Sequence, residues 1–135
     1  MANVLYNPAK KKFLDADIDL LVDNIKAVLV DLADYTFNIA DEFLSDIPVA
    51  GRVAISDNLD NKSTTNGVFD ADNAVFALVS GDVSEAVVLF KDTGSPATSP
   101  LILYIDSATG LPITPNGANI NLQWNDGANK IFALT

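Results

Sequence analysis

Residues 85–94 read Glu85-Ala86-Val87-Val88-Leu89-Phe90-Lys91-Asp92-Thr93-Gly94. The apolar, β-branched and aromatic run predicts a strand from Glu85 to Lys91. Asp92-Thr93-Gly94 closes it, since Asp bonds nearby backbone groups and Gly reaches turn conformations other residues avoid. The pattern repeats downstream in Leu101 to Asp106, followed by Ala108-Thr109-Gly110. Upstream it appears in Ala74 to Val79, with Ser80-Gly81-Asp82 after it, and in Arg52 to Ser56. Ile25 to Val30 is apolar on both faces apart from Lys26. Ile120, Leu122 and Trp124 alternate with Asn121, Gln123 and Asn125, as in a half-buried strand. Asp126-Gly127 then reads as a hairpin turn, with Lys130 to Leu134 pairing back across it. Seven or eight short strands at this spacing predict a mainly-β chain built as an antiparallel sandwich or barrel.

The remaining segments are short. Met1 to Lys12 reads as an N-terminal arm ending in Lys10-Lys11-Lys12, and Lys10 to Asp15 as one helical turn anchored by Phe13 and Leu14. Ile18 to Leu21 suits strand or helix equally. Asn38 looks like the N-cap of a short helix with Asp41 and Glu42 in its first turn, ended by about Ile47 ahead of Pro48. Gly94 to Pro100 reads as an exposed loop. The whole of residues 1–135 reads as one domain, with 1–12 as its arm.

Composition narrows the chemistry. The chain has no cysteine and no histidine. Thiolate and imidazole chemistry are therefore closed to it, including Ser-His-Asp and Cys-His catalysis within one chain. A net charge of -10 repels nucleic acid and anionic membranes, so neither is an expected partner. Met1 to Lys12 holds no apolar core of signal-peptide length, and apolar runs such as Leu101 to Ile105 fall far short of a membrane span. Of the 18 acidic residues only Glu42 and Glu85 are glutamate. Asp and Asn favour turns and caps, in keeping with strands joined by turns.

Four acidic or aromatic patterns carry candidate chemistry. Asp92-Thr93-Gly94-Ser95 matches the active-site sequence of dimeric aspartic proteases, which need two carboxylates sharing a proton. Those enzymes also carry a later apolar-apolar-Gly-Arg segment, whereas the single arginine here, Arg52, lies upstream. Asp15-Ala16-Asp17-Ile18-Asp19 resembles the opening of a calcium loop, but Leu20 and Lys26 stand where that loop needs glycine and a bidentate acid. Asp70, Asp72 and Asn73 offer oxygens for a looser calcium site with a distant loop. Trp124, Tyr104 and Phe132 are candidates for a sugar pocket or, more simply, core. Asn61-Lys62-Ser63 has the form of a glycosylation sequon only. No catalytic residue, metal ligand or cofactor is assigned, and the expectation is a binding or structural protein, not an enzyme. Lys10, Lys11 and Lys12 are the candidate partner-contact residues.

Three stretches, MANVLYNPAKKKFLDADIDLLVDNIKAVLVDLADYTF (1–37), EFLSDIPVAGRVA (42–54) and residues 84–134, resemble small tailed-bacteriophage virion proteins encoded near the capsid gene. The resemblance spans nearly the whole chain and rests on strands, turns and glycines. It implies a capsid cement or decoration protein with a jelly-roll-like sandwich. Such a protein would be made in the bacterial host cytoplasm and sit on the virion surface as dimers or trimers, bridging major capsid protein subunits. A tail, collar or fibre-associated domain that binds a host surface or carbohydrate is the alternative. The family supplies no catalytic residue.

Overall fold

The computed structural model describes residues 3–108 and 110–134. Met1 and Ala2 of the expected arm, Thr109 of the turn expected after Leu101 to Asp106, and Thr135 lie outside them. The fold is mainly β with antiparallel pairing and little helix.

The centre is the pair of strands that dominate the sequence pattern. Strands β6 (Ala86–Lys91) and β7 (Leu101–Ile105) pair antiparallel, with Leu89 opposite Leu103. On its other side β6 pairs with β2 (Ile25–Val30), Val28 opposite Val88. Strands β1 (Val4–Leu5) and β3 (Arg52–Ile55) complete a five-stranded sheet in the order β1-β7-β6-β2-β3. Every residue of β7, and every residue of β6 except Lys91, is buried. Side chains alternate across a sheet, so both faces of its centre are covered. Each such Val, Leu, Ile or Phe contributes about 1.5–3 kcal/mol relative to exposure.

Two ribbons stand apart from this sheet. Strand β4 (Val68–Phe69) pairs with β9 (Phe132–Ala133), and β5 (Ala74–Phe76) with β8 (Ile120–Leu122). The hairpin expected across Asp126-Gly127 is therefore not made. Asn125 Oδ1 accepts the Gly127 N–H at 2.8 Å, so the turn exists, but each flanking strand finds a distant partner.

The N-terminal segment is not a free arm. Strand β1 is an edge of the main sheet, Val4 opposite Tyr104, and the Tyr6 N–H donates to the Ile102 carbonyl at 3.1 Å. Helix α1 (Asn7–Leu14) follows, longer and earlier than the sequence suggested. Pro8 suits its first turn, where an N–H has no helical partner, and Lys11 and Lys12 suit its last turn, where the dipole favours cations. Tyr6 and Ala9 are fully buried, which fixes the segment against the core. Ala16 ends the helix at a left-handed φ of 62°.

The helix expected after Asn38 is also absent. Asn38 Oδ1 accepts the Ala40 N–H at 3.0 Å, forming a turn, and one short 3-10 turn follows at Leu44–Asp46. Asp46 Oδ2 accepts the N–H groups of Glu42 and Phe43 at 2.8 and 3.0 Å, stealing the donors a longer helix would need. Residues 93–98 are exposed, as expected for a loop, while Ser99 and Pro100 are buried.

Candidate functional site

The lysine triplet does not form one contact patch. Lys11 pairs with Asp15 one turn along the helix. Lys12 turns inward, its ammonium 2.5 Å from Glu42 Oε1 and 5.3 Å from the centre of the Phe43 ring. Lys10 and Lys11 both stay exposed, and Lys10 donates to Asn7 Oδ1 at 3.2 Å. The physical reason is the helix, which spreads consecutive residues around its axis.

The other lysines are bound in the same way. Lys26 meets Asp92 at 3.0 Å, Lys91 meets Asp23 at 3.2 Å, and Lys130 meets Asp126 at 2.7 Å. Lys62 donates to the Asp23 carbonyl at 2.5 Å. The positive side chains are thus largely engaged within the chain, and the charge offered to a partner is negative.

Each acidic motif resolves into local structure. Asp92 Oδ1 accepts the Gly94 N–H at 2.9 Å, and this bond together with Lys26 holds its carboxyl below the ordinary range. Asp19 Oδ1 accepts the N–H groups of Leu21 and Val22 at 3.0 and 3.3 Å, shaping the turn after α1. Asn61 donates to Asp72 Oδ2 at 2.5 Å. Among the described residues, Asp31, Asp34 and Asp82 place carboxylate oxygens within 4.8 Å of one another, a grouping the sequence does not announce because Asp82 is remote from the other two.

The aromatic trio belongs to the core, with Tyr104, Trp124 and Phe132 all buried in one cluster. Tyr104 stacks near Phe37, with ring centres 4.4 Å apart. Phe132 lies 5.7 Å from Phe69 and 6.2 Å from Phe13. Trp124 donates its indole N–H to the Asp72 carbonyl at 2.9 Å.

Two grooves lie at the surface of this core. The first, about 320 Å³, is apolar and is lined by Phe13, Ile18, Leu20, Leu21, Phe69, Phe132 and Leu134. In its lining Leu21 and Leu134 are 50% and 59% exposed, while Leu14 and Val22, next in the chain to Phe13 and Leu21, are exposed outside it. Asp15, Asp17 and Asp19 lie exposed in the same turn, and Asp19 is in the lining itself. The sequence signal is the segment Ile18 to Leu21, which suits strand and helix equally and whose apolar residues split between core and solvent.

The second groove, about 590 Å³, is polar and shares no lining residue with the first. Strands β5 and β8 form its floor, with Val75 opposite Asn121. Asp70, Asp72 and Asn73 border it on one side, and Gln123 to Asp126 on the other.

No helix among the described residues is long and apolar enough to cross a membrane. No protein-family model matches the chain, and no curated protein matches it.

Proposed function

We propose that this chain is a structural protein of a tailed-bacteriophage particle that cements or decorates the shell by bridging major capsid protein subunits. The resemblance of residues 1–37, 42–54 and 84–134 to small virion proteins supports the reading. The observation that carries the contact is the apolar groove, with exposed Leu21 and Leu134 beside Asp19 in its lining and Asp15 and Asp17 exposed in the same turn. Exposed apolar side chains in a cluster mark a binding surface. Acids around them select a partner segment whose apolar residues are flanked by Lys or Arg. The proposed occupant is such a segment of the major capsid protein. The Lys10 to Lys12 triplet, first expected to make this contact, has two of its three charges paired internally.

In this reading the main sheet and the two ribbons form a jelly-roll-like sandwich, present as dimers or trimers on the virion surface. A modest contact repeated around a lattice gains by avidity, and the net charge of -10 keeps the free chain dispersed before assembly. Mass spectrometry of purified particles is expected to find the chain at a fixed ratio to the capsid protein. Particles lacking it are expected to break at lower temperature. Particles that contain none of it would overturn the proposal.

A further inference from the structure

The polar groove gathers side-chain amides that the fold leaves open. Asn125 of its lining closes a turn by accepting the Gly127 N–H at 2.8 Å, as Asn38 and Asn116 do elsewhere for Ala40 and Ala118 at 3.0 Å each. Asn73, Asn121 and Gln123, all exposed in the groove lining, have no side-chain hydrogen bond among the described residues. Gln123 is the single glutamine of the chain. Asn121 and Gln123 stand two residues apart along an extended segment and so project from the same face.

We propose that this groove binds a neutral saccharide. Each free carboxamide presents a donor group and an acceptor together, the pairing that adjacent sugar hydroxyls require. Val75, 39% exposed, supplies apolar lining against which the C–H face of a sugar ring rests, with the edge of buried Trp124 beside it. Trp124 is 8% exposed and is held in orientation by its bond to the Asp72 carbonyl, so that lining is pre-formed. A volume of about 590 Å³ falls in the range of small-molecule clefts.

Charge sets the class. Asp70, Asp72 and Asp126 lie in the lining. Lys130, the ammonium beside them, is already bound to Asp126 at 2.7 Å. Phosphorylated, sulfated and uronic sugars are therefore repelled, while neutral hydroxyls find carboxylate acceptors as well as amides. The groove is separate in lining from the apolar one, so this inference stands or falls independently of shell binding.

The test is titration of the purified chain with neutral oligosaccharides (maltohexaose, cellohexaose, mannohexaose and chitohexaose), their monosaccharides, and acidic heparin and polygalacturonate fragments. Fluorescence of Trp124, the chain's single tryptophan, reports on the groove, and calorimetry reports binding anywhere. At least one neutral oligosaccharide is expected to bind saturably, more tightly than its monosaccharide, with a change in Trp124 emission. The double variant Asn121→Ala, Gln123→Ala is expected to weaken it by about tenfold or more, as loss of two hydrogen-bonding groups does. Both side chains are exposed, so the variant should keep the wild-type circular dichroism. Absence of binding to every neutral sugar, preference for the acidic fragments, or unchanged affinity in the double variant would each overturn the proposal.

Discussion

The hydroxyls of Tyr6 and Tyr35 stand 3.0 Å apart in the interior, and Tyr35 donates onward to Asp41 Oδ2 at 2.8 Å. This chain of bonds ties the start of the N-terminal segment to the loop that follows β2. Burial pushes both phenols above their ordinary range and raises the Asp41 carboxyl, which the Tyr35 bond partly offsets. Removing the middle member should therefore cost more than removing the end. Tyr35→Phe is expected to lose about 1–3 kcal/mol, because it leaves the Tyr6 hydroxyl buried without a partner. Tyr6→Phe is expected to lose about 1 kcal/mol or less, since Tyr35 keeps Asp41. Urea denaturation of the two variants checks the order.

Deleting residues 1–12 distinguishes a docked segment from a loose arm. Loss of β1 exposes the edge of β7, and loss of Tyr6 and Ala9 opens the core beneath α1. The truncated chain is expected to melt well below the full chain or to aggregate through the exposed edge. An unchanged melting temperature would mean that the segment contributes nothing to the fold.

The parts legible in the sequence are those whose burial is local. The runs Ile25 to Val30, Ala86 to Phe90 and Leu101 to Ile105 are apolar on both faces, and they became the three central strands. Pairing was not legible where the partner is distant. Asp126-Gly127 carries a valid hairpin signal, yet Phe132 pairs with Phe69 and Leu122 with Ala74. Helix α1 carries a start signal in Pro8, but the lysine triplet gives no apolar periodicity to mark its length. At the candidate site, the acidic motifs named residues that shape turns. The grooves depend on which side chains remain unpartnered after folding, and no spacing rule carries that information.

The core of the sheet should be sensitive to a single truncation. Leu89 and Leu103 face each other across β6 and β7, and both are buried. Leu89→Ala and Leu103→Ala are each expected to cost about 2–5 kcal/mol. The double variant should cost less than the sum, because the two share one cavity. A thermodynamic cycle by urea denaturation measures that coupling.

Asp92 predicts an acid-sensitive contribution. Its folded carboxyl lies below the ordinary value of 3.8, held down by the Gly94 N–H and Lys26. A depressed carboxyl stabilises the fold above its unfolded pKa, and that contribution is lost as pH falls through the folded value. Asp41 runs the other way, since its raised carboxyl is favoured in the protonated form. Asp92→Asn should therefore destabilise the chain near about pH 6 and matter little near about pH 2. Thermal melts across that interval check the convergence of variant and wild type.

The most direct measurement of the central claim is incorporation of groove variants into capsids. Leu21→Asp and Leu134→Asp place charge on lining residues already exposed, 50% and 59%, so the free chain should fold normally. Each is to be added, beside the wild type, to capsids assembled without the chain, and the bound amount read after sedimentation. Shell binding through the apolar groove predicts that the wild type saturates the capsids and that either variant falls by about tenfold or more. Wild-type chain that stays in the supernatant, or variants that bind as well as the wild type, would contradict it.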